Sequence, residues 1–514
     1  MSQRQFIRTV KRSPLDRLLS GSAREGLRIL TRSRGSSSGG DRSAGGSRAA
    51  PWARKAASSS APPNVRVNDP SGDGAGNPDM TQQNEVTIGV SGSNVVAGYN
   101  DDGTSPAQTG QSPSPATDIT GYSWSKDGGT TWHDSQLPNN SPSINIGDPV
   151  VATDRAGHFY FATLSLNFSL QRIDVAVGRS DDGGQTFSAP MVVSSKRKLT
   201  SNDKPWMAVG PDPSTPGNDV VYVAWMESFF DQRTGAVGTR IMLTSSKDQG
   251  ATWSRPVEVF SQPAFAKKRS FYVNGSSLAV DPATSRLYLA WEQFLDLPHG
   301  GGRFAMRREF FTSSDDRGAT FAKPVVVAHP GPVGAFNPAC GNAVKFGAGR
   351  LVRIQEFPVL GVGPGGQVLM AYDSQTQGHI SVRVARSIDG GATWTRTTVA
   401  GSPDAFMPGL SADDTGVSVV YYQRVPMTLL KTGIATSSDG VTWTSQDLST
   451  ASFPVPITFP SWDPGTAPCY MGDYLGVRRV SGTSYTGWGD NRDIVTNSFW
   501  PNGRPDPDVF FAKL

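Results

Sequence analysis

Cysteine is nearly absent from this 514-residue chain, with Cys340 and Cys469 the only two. That excludes a disulfide framework. One bridge, two buried thiols or a shared soft-metal site all stay open for the pair. The five histidines (His133, His158, His299, His329 and His379) show no metal-ligand spacing. No run of about 18 apolar residues is present, so no transmembrane helix is expected. The N-terminus lacks the apolar stretch of a secretory signal. Nucleophile elbow, zinc-protease helix and dinucleotide fingerprint are all missing. The glycine run after His299 lacks P-loop spacing.

Charge is also sparse, at 18% of residues, and it is unevenly placed. Residues 1–60 hold thirteen Lys or Arg against three acids, so the remainder of a chain with net charge +4 is acidic, at −6. The basic pI therefore belongs to the N-terminus, and the body is not expected to bind nucleic acid. Residues 1–61 read as a basic, largely disordered tail with one possible amphipathic helix. Ser13 and Pro14 provide its start signal, and Leu15, Leu18, Leu19, Leu27 and Leu30 recur at roughly helical spacing. Such a helix suits a membrane surface or a protein partner. The Ser, Gly and Ala-rich stretch 35–61 reads as a linker.

What the chain has in abundance is glycine, proline and one repeated phrase. Ser125-Lys126-Asp127-Gly128-Gly129-Thr130-Thr131-Trp132 recurs around Asp182 and Phe187, Asp248 and Trp253, Asp316 and Phe321, and Asp389 and Trp394. A sixth copy, one residue shorter, runs from Ser437 to Trp443. Each follows an alternating run rich in β-branched or aromatic residues, the mark of a strand. Four short strands per unit is the blade of a β-propeller. Inner strands are expected to begin near Glu85, Asp148, Asp203, Asn274, Asn342, Pro408 and Asp473, about 65 residues apart. The expected fold is thus all-β over residues 62–514, with seven four-stranded blades and six as the alternative. The last unit ends one strand short, and Asn64-Val65-Arg66-Val67 can supply that outer strand and close the ring.

The repeated phrase is the Asp box, and the chain resembles the sialidase and BNR-repeat propellers. The resemblance implies boxes in the turns between third and fourth strands, away from the functional face, and an extracellular or cell-surface setting. It also implies three arginines for a sugar carboxylate, a Tyr–Glu nucleophile pair and an Asp acid/base. The family's Arg-Ile-Pro tripeptide ahead of the first box has no counterpart, since Arg66 is the only propeller arginine before it.

Inner-strand starts and second-strand ends share one face of a propeller, at the channel mouth. Among the starts, Glu85, Asp148, Asp203 and Asp473 form a crowd of carboxylates that could hold calcium. Glu227, Glu292, Tyr422 and Asp490 are the catalytic candidates by residue type. Arg424, Arg492, Asp493, Asn100 and Asp101 are the candidates for ligand contact. Two functions remain: a propeller that binds a glycan or other small ligand at its mouth, and a sialidase-like glycoside hydrolase working through mouth carboxylates.

Overall fold

The computed structural model describes residues 1–12, 19–31, 61–69, 83–101, 119–194, 197–262, 270–296, 304–337, 340–426, 428–456, 469–496 and 502–514. Seven antiparallel sheets form the blades of a propeller. Their inner strands are Gln83–Ser91, Val150–Thr153, Thr200–Pro211, Ser270–Val280, Val359–Val362, Ala405–Asp413 and Gly476–Val480, for blades one to seven. Val65–Arg66 is the outer strand of blade seven. Val65 pairs with Phe511 and Arg66 with Phe510, so the first strand of the chain closes the ring on its last.

One inner strand departs from the expected series. Asn342 lies not in blade five but in the strand Gly341–Lys345, the middle of a three-stranded sheet with Ala335–Asn337 and Leu351–Arg353. This insert precedes the true inner strand, Val359–Val362. It also answers the cysteine question. Cys340 at its edge is disulfide-bonded to Cys469, 129 residues later and just ahead of blade seven. The insert reaches past blade six, and Arg353 N donates to Cys469 O at 2.8 Å.

All six boxes lie in turns after the third strand of their blades. In the fifth, Thr393 N donates to Asp389 Oδ1 at 2.9 Å and Thr393 Oγ1 to Asp389 Oδ2 at 2.6 Å. Ser387 Oγ donates to the same carboxylate and accepts from Gly391 N. Gly391 has φ +98°, and a side chain there would run into the Phe311 ring of the neighbouring blade. Glycine is therefore required twice over, for conformation and for blade-to-blade contact. Box aromatics fill the same seams: Trp132 meets Phe511 edge-on at 5.0 Å, and Trp394 meets Phe311 at 5.1 Å.

The N-terminal segment contributes two helices, α1 (Gln3–Arg12) and α2 (Gly21–Thr31). Their apolar residues Phe6, Ile7, Val10, Ala23, Leu27 and Leu30 are buried in one cluster with Ile144, Ile146, Leu164 and Ile173 of blade two and Trp225 of blade three. The apolar face that a membrane or an external partner would need is thus turned onto the propeller. The Ser13 start signal lies outside the described residues. The second helix starts instead behind Ser20, whose Oγ accepts from Ala23 N at 2.9 Å, as an N-cap does.

Candidate functional site at the channel mouth

Five of the seven inner strands are entered through a residue with left-handed backbone. Glu85 (φ 55°), Asp148 (φ 53°), Lys204 (φ 50°), Gly275 (φ 62°) and Met407 (φ 57°) occupy this place in blades one, two, three, four and six. In four of these blades the ladder register shifts across the same residue, a bulge. A non-glycine residue held at positive φ costs about 1–3 kcal/mol. Repeating that cost in four blades turns non-glycine side chains from different blades toward the propeller axis.

There Lys204 becomes the hub. Its ammonium lies 2.7 Å from Glu85 Oε1, 3.0 Å from Asp473 Oδ2 and 3.5 Å from Asp148 Oδ2. Arg353, from the insert, reaches Asp473 Oδ1 at 3.5 Å and lies 5.2 Å from the centre of the Tyr470 ring. Tyr470 OH donates to Glu85 Oε1 and, at 3.4 Å, to Asp473 Oδ2. Asp203 completes the group. Every member is at most 3% exposed. Below it, Lys204, Trp206, Phe357, Met407 and Tyr474 line a small cavity of about 20 Å³. A separate channel of about 730 Å³ runs along the inner strands of all seven blades toward the turns at Pro282, Asp414 and Ser481.

Burial dominates the electrostatics. It pushes Asp148 up to about 6 and raises Glu85, Asp203 and Asp473 above the usual carboxylate range. For Lys204, burial alone would lower the value, but the surrounding carboxylates outweigh it and hold the ammonium charged. Two buried oxygens, Glu85 Oε2 and Asp148 Oδ1, have no partner when both acids are ionised. A proton retained on Glu85 and donated to Asp148 resolves both, in line with the raised value of Glu85 and its hydrogen bond to Asp148. The cluster then carries three carboxylates against one lysine and one arginine.

The four residues read as calcium ligands do converge, but the cation among them is the lysine. Among the described residues, no group of three or more His, Cys, Asp or Glu is arranged to hold a metal ion. Calcium therefore does not fit this donor set.

The other candidates are engaged elsewhere. Glu227 takes Arg240 Nε at 2.7 Å. Glu292 belongs to a second buried knot, where the guanidinium of Arg307 meets Glu292 at 3.0 Å, Glu309 at 2.9 Å and Glu356 at 2.7 Å. Tyr422 OH donates to Gly489 O at 2.7 Å inside blade packing. Asp490 accepts from Trp488 Nε1 at 2.9 Å and from Arg492 Nη2 at 2.5 Å. Arg492 also bonds Asn64 and Thr450, and Asp493 pairs with Arg66 at 3.0 Å. Arg424 is held by Asp404 and by Lys345 O. Asn100 joins blades one and two, taking Asp148 N at 2.9 Å, and Asp101 accepts from Gln136. Arg424, Arg492 and Arg66 are each paired with a carboxylate of their own, Asp404, Asp490 and Asp493.

Sequence reading missed Lys204, Arg353 and Tyr470. Lys204 was within reach, because it holds the same left-handed entry position as Glu85 and Asp148. Tyr470 stands beside Cys469 and three residues before Asp473. Arg353 had no such signal, since it lies in an insert outside the repeat.

No family model matches the sequence, and no curated protein matches it. Solved structures do. An unknown-function protein from Dyadobacter fermentans shares 17% identity, with 71% of this chain and 94% of that one covered and a TM-score of 0.40. A Hadza microbial sialidase shares 16% over 79% and 75%, with a TM-score of 0.42. An α-L-arabinofuranosidase from Fusarium graminearum, solved with an iminosugar inhibitor, shares 15% over 76% and 96%, with a TM-score of 0.45. With six Asp boxes between third and fourth strands and seven blades closed by an N-terminal strand, the chain is a seven-bladed Asp-box β-propeller.

Proposed function

We propose that the channel mouth binds a polar, carbohydrate-like ligand. The observation that carries this reading is the convergence of Glu85, Asp148, Asp203 and Asp473, from four blades, on Lys204. Carboxylates accept from sugar hydroxyls, Lys and Arg donate to them, and the Tyr470 and Tyr474 rings offer apolar faces. The test is glycan-array binding with the full chain beside its Asp473→Asn variant. A glycan bound by the first and lost by the second supports the reading, and an array blank for both, with the mouth open, ends it.

A second reading, glycoside hydrolysis, is favoured by one contact. Tyr470 OH donates to Glu85 Oε1, and once the Glu85 proton has passed to Asp148 that carboxylate can take the phenol proton, as a base does for a nucleophile. Turnover of aryl glycosides, an aryl sialoside included, should then vanish in both Tyr470→Phe and Glu85→Gln. Turnover that survives in Tyr470→Phe would remove this reading and leave binding intact.

A further inference from the structure

The mouth already holds a ligand-like group, supplied by the chain itself. Arg353 Nη2 donates to Leu19 O at 2.5 Å, and Ser20 N donates to Asp203 Oδ2 at 3.0 Å. That carbonyl and that N–H belong to one peptide bond, Leu19–Ser20. A guanidinium thus holds one end of a single amide, and a carboxylate holds the other. Both bonds are charge-assisted, the stronger class of hydrogen bond. All four residues are at most 3% exposed. Asp203 also lies at the start of α2, where negative charge complements the exposed N–H groups of the helix. Beside this clamp the pocket has spare capacity, because Arg353 Nη1 has no hydrogen-bond partner.

No strand of the ring comes from this segment. All seven blades take their strands from residues 65–513, and Val65–Arg66 completes blade seven without the helices. The helices are held by side-chain packing on blades two and three and by a few polar bonds, such as Gln3 with Thr200 O and Leu199 N. In sequence they join the ring only through residues 32–60, rich in Ser, Gly and Ala.

We propose that the channel mouth is an amide-binding site for a peptide segment, and that residues 1–31 are its tethered occupant. The segment competes with any external ligand for Asp203 and Arg353. This goes beyond the glycan reading and does not depend on it.

The experiment uses the full chain with a protease recognition sequence placed within residues 35–58, purified intact and then cut. A fluorescent synthetic peptide of residues 1–31 is added, and its binding is followed by anisotropy. A second peptide carries an ester in place of the Leu19–Ser20 amide, which removes the N–H and keeps the shape. The expected result is saturable exchange of the labelled peptide for the cut segment. The ester peptide should bind roughly tenfold more weakly, the effect of losing one hydrogen bond to a charged group. Equal binding of ester and amide overturns the clamp. A cut protein that loses its near-ultraviolet circular dichroism once the segment departs overturns the occupant role and makes the helices part of the core. Array glycans bound equally before and after cutting also overturn competition. Peptide exchange with a blank array supports this inference while ending the glycan reading.

Discussion

The two faces of this propeller use aspartate in opposite ways. On the box rim, carboxylates such as Asp127, Asp389 and Asp439 stand in water. Threonine side-chain and backbone donors in the same turn hold Asp127 and Asp389 below the usual range, and backbone donors first of all do so for Asp439. At the mouth, Glu85, Asp148, Asp203 and Asp473 are buried and raised, and their partners come from other blades. A box completes itself within eight residues, so it works wherever the chain repeats it. The mouth exists only when the ring closes. The first arrangement stabilises a turn, and the second concentrates charge at a place where a ligand can use it.

The sharpest way to break this contrast is Lys204→Met. Removing the one ammonium leaves several buried carboxylates without their cation, and breaking such a pair costs about 3–5 kcal/mol. Chemical denaturation should show a loss of this size, and Asp473→Asn in the same chain, which removes the ionised carboxylate 3.0 Å from that ammonium, should recover part of it. No recovery would mean that Lys204 acts through packing instead of charge.

The pH profile comes next. Raised mouth carboxyls keep protons that the unfolded chain has released, so their contribution falls as pH rises from the usual carboxylate range toward 6. Lowered box carboxylates do the reverse, stabilising above that range and failing as pH drops through it. Melting temperature should therefore peak near the usual carboxylate range, at about pH 4, and decline on both sides. Asp148→Asn should flatten the upper limb, by roughly 1–3 kcal/mol for a shift from 3.8 to about 6. A profile flat from pH 5 to 8 in the unaltered protein would show that the mouth acids do not titrate there.

The smallest effect is expected on the rim. Asp182→Ala removes bonds to Thr186 and Ser180 in the second box. Water screens that carboxylate, so the loss should stay near or below about 1 kcal/mol. Denaturation midpoints would check it, and a loss rivalling that of Lys204→Met would erase the distinction between the two faces.

The legible parts of the molecule were those written locally. Boxes, strand alternation, the count of seven and the closing strand could all be read because each depends on neighbours in sequence or on a repeat. Blade five shows the limit. Gly341–Lys345 alternates like an inner strand and falls at the expected interval, yet it belongs to the insert. Only pairing partners separate the two. Glu227, Glu292, Tyr422, Asp490 and Arg492 show the same limit. Their residue types suit a catalytic site, but each spends its polar atoms on a partner invisible along the chain. The N-terminal helices went unrecognised as part of the body, because their basic composition describes the exposed face and not Phe6, Ile7 and Val10 beneath it.

By itself, then, the sequence determined the blade, its turn chemistry and the number of repeats, since those rest on period-two patterning and on bonds spanning a few residues. The tertiary structure alone decided what the mouth contains. Ring closure carries Glu85, Lys204, Arg353 and Tyr470, from places far apart in the chain, into contact. The insert places Arg353 against Leu19, and α2 places the Ser20 amide on Asp203. Burial then sets the protonation of the group, and burial is a property of the closed ring that no stretch of the chain possesses alone.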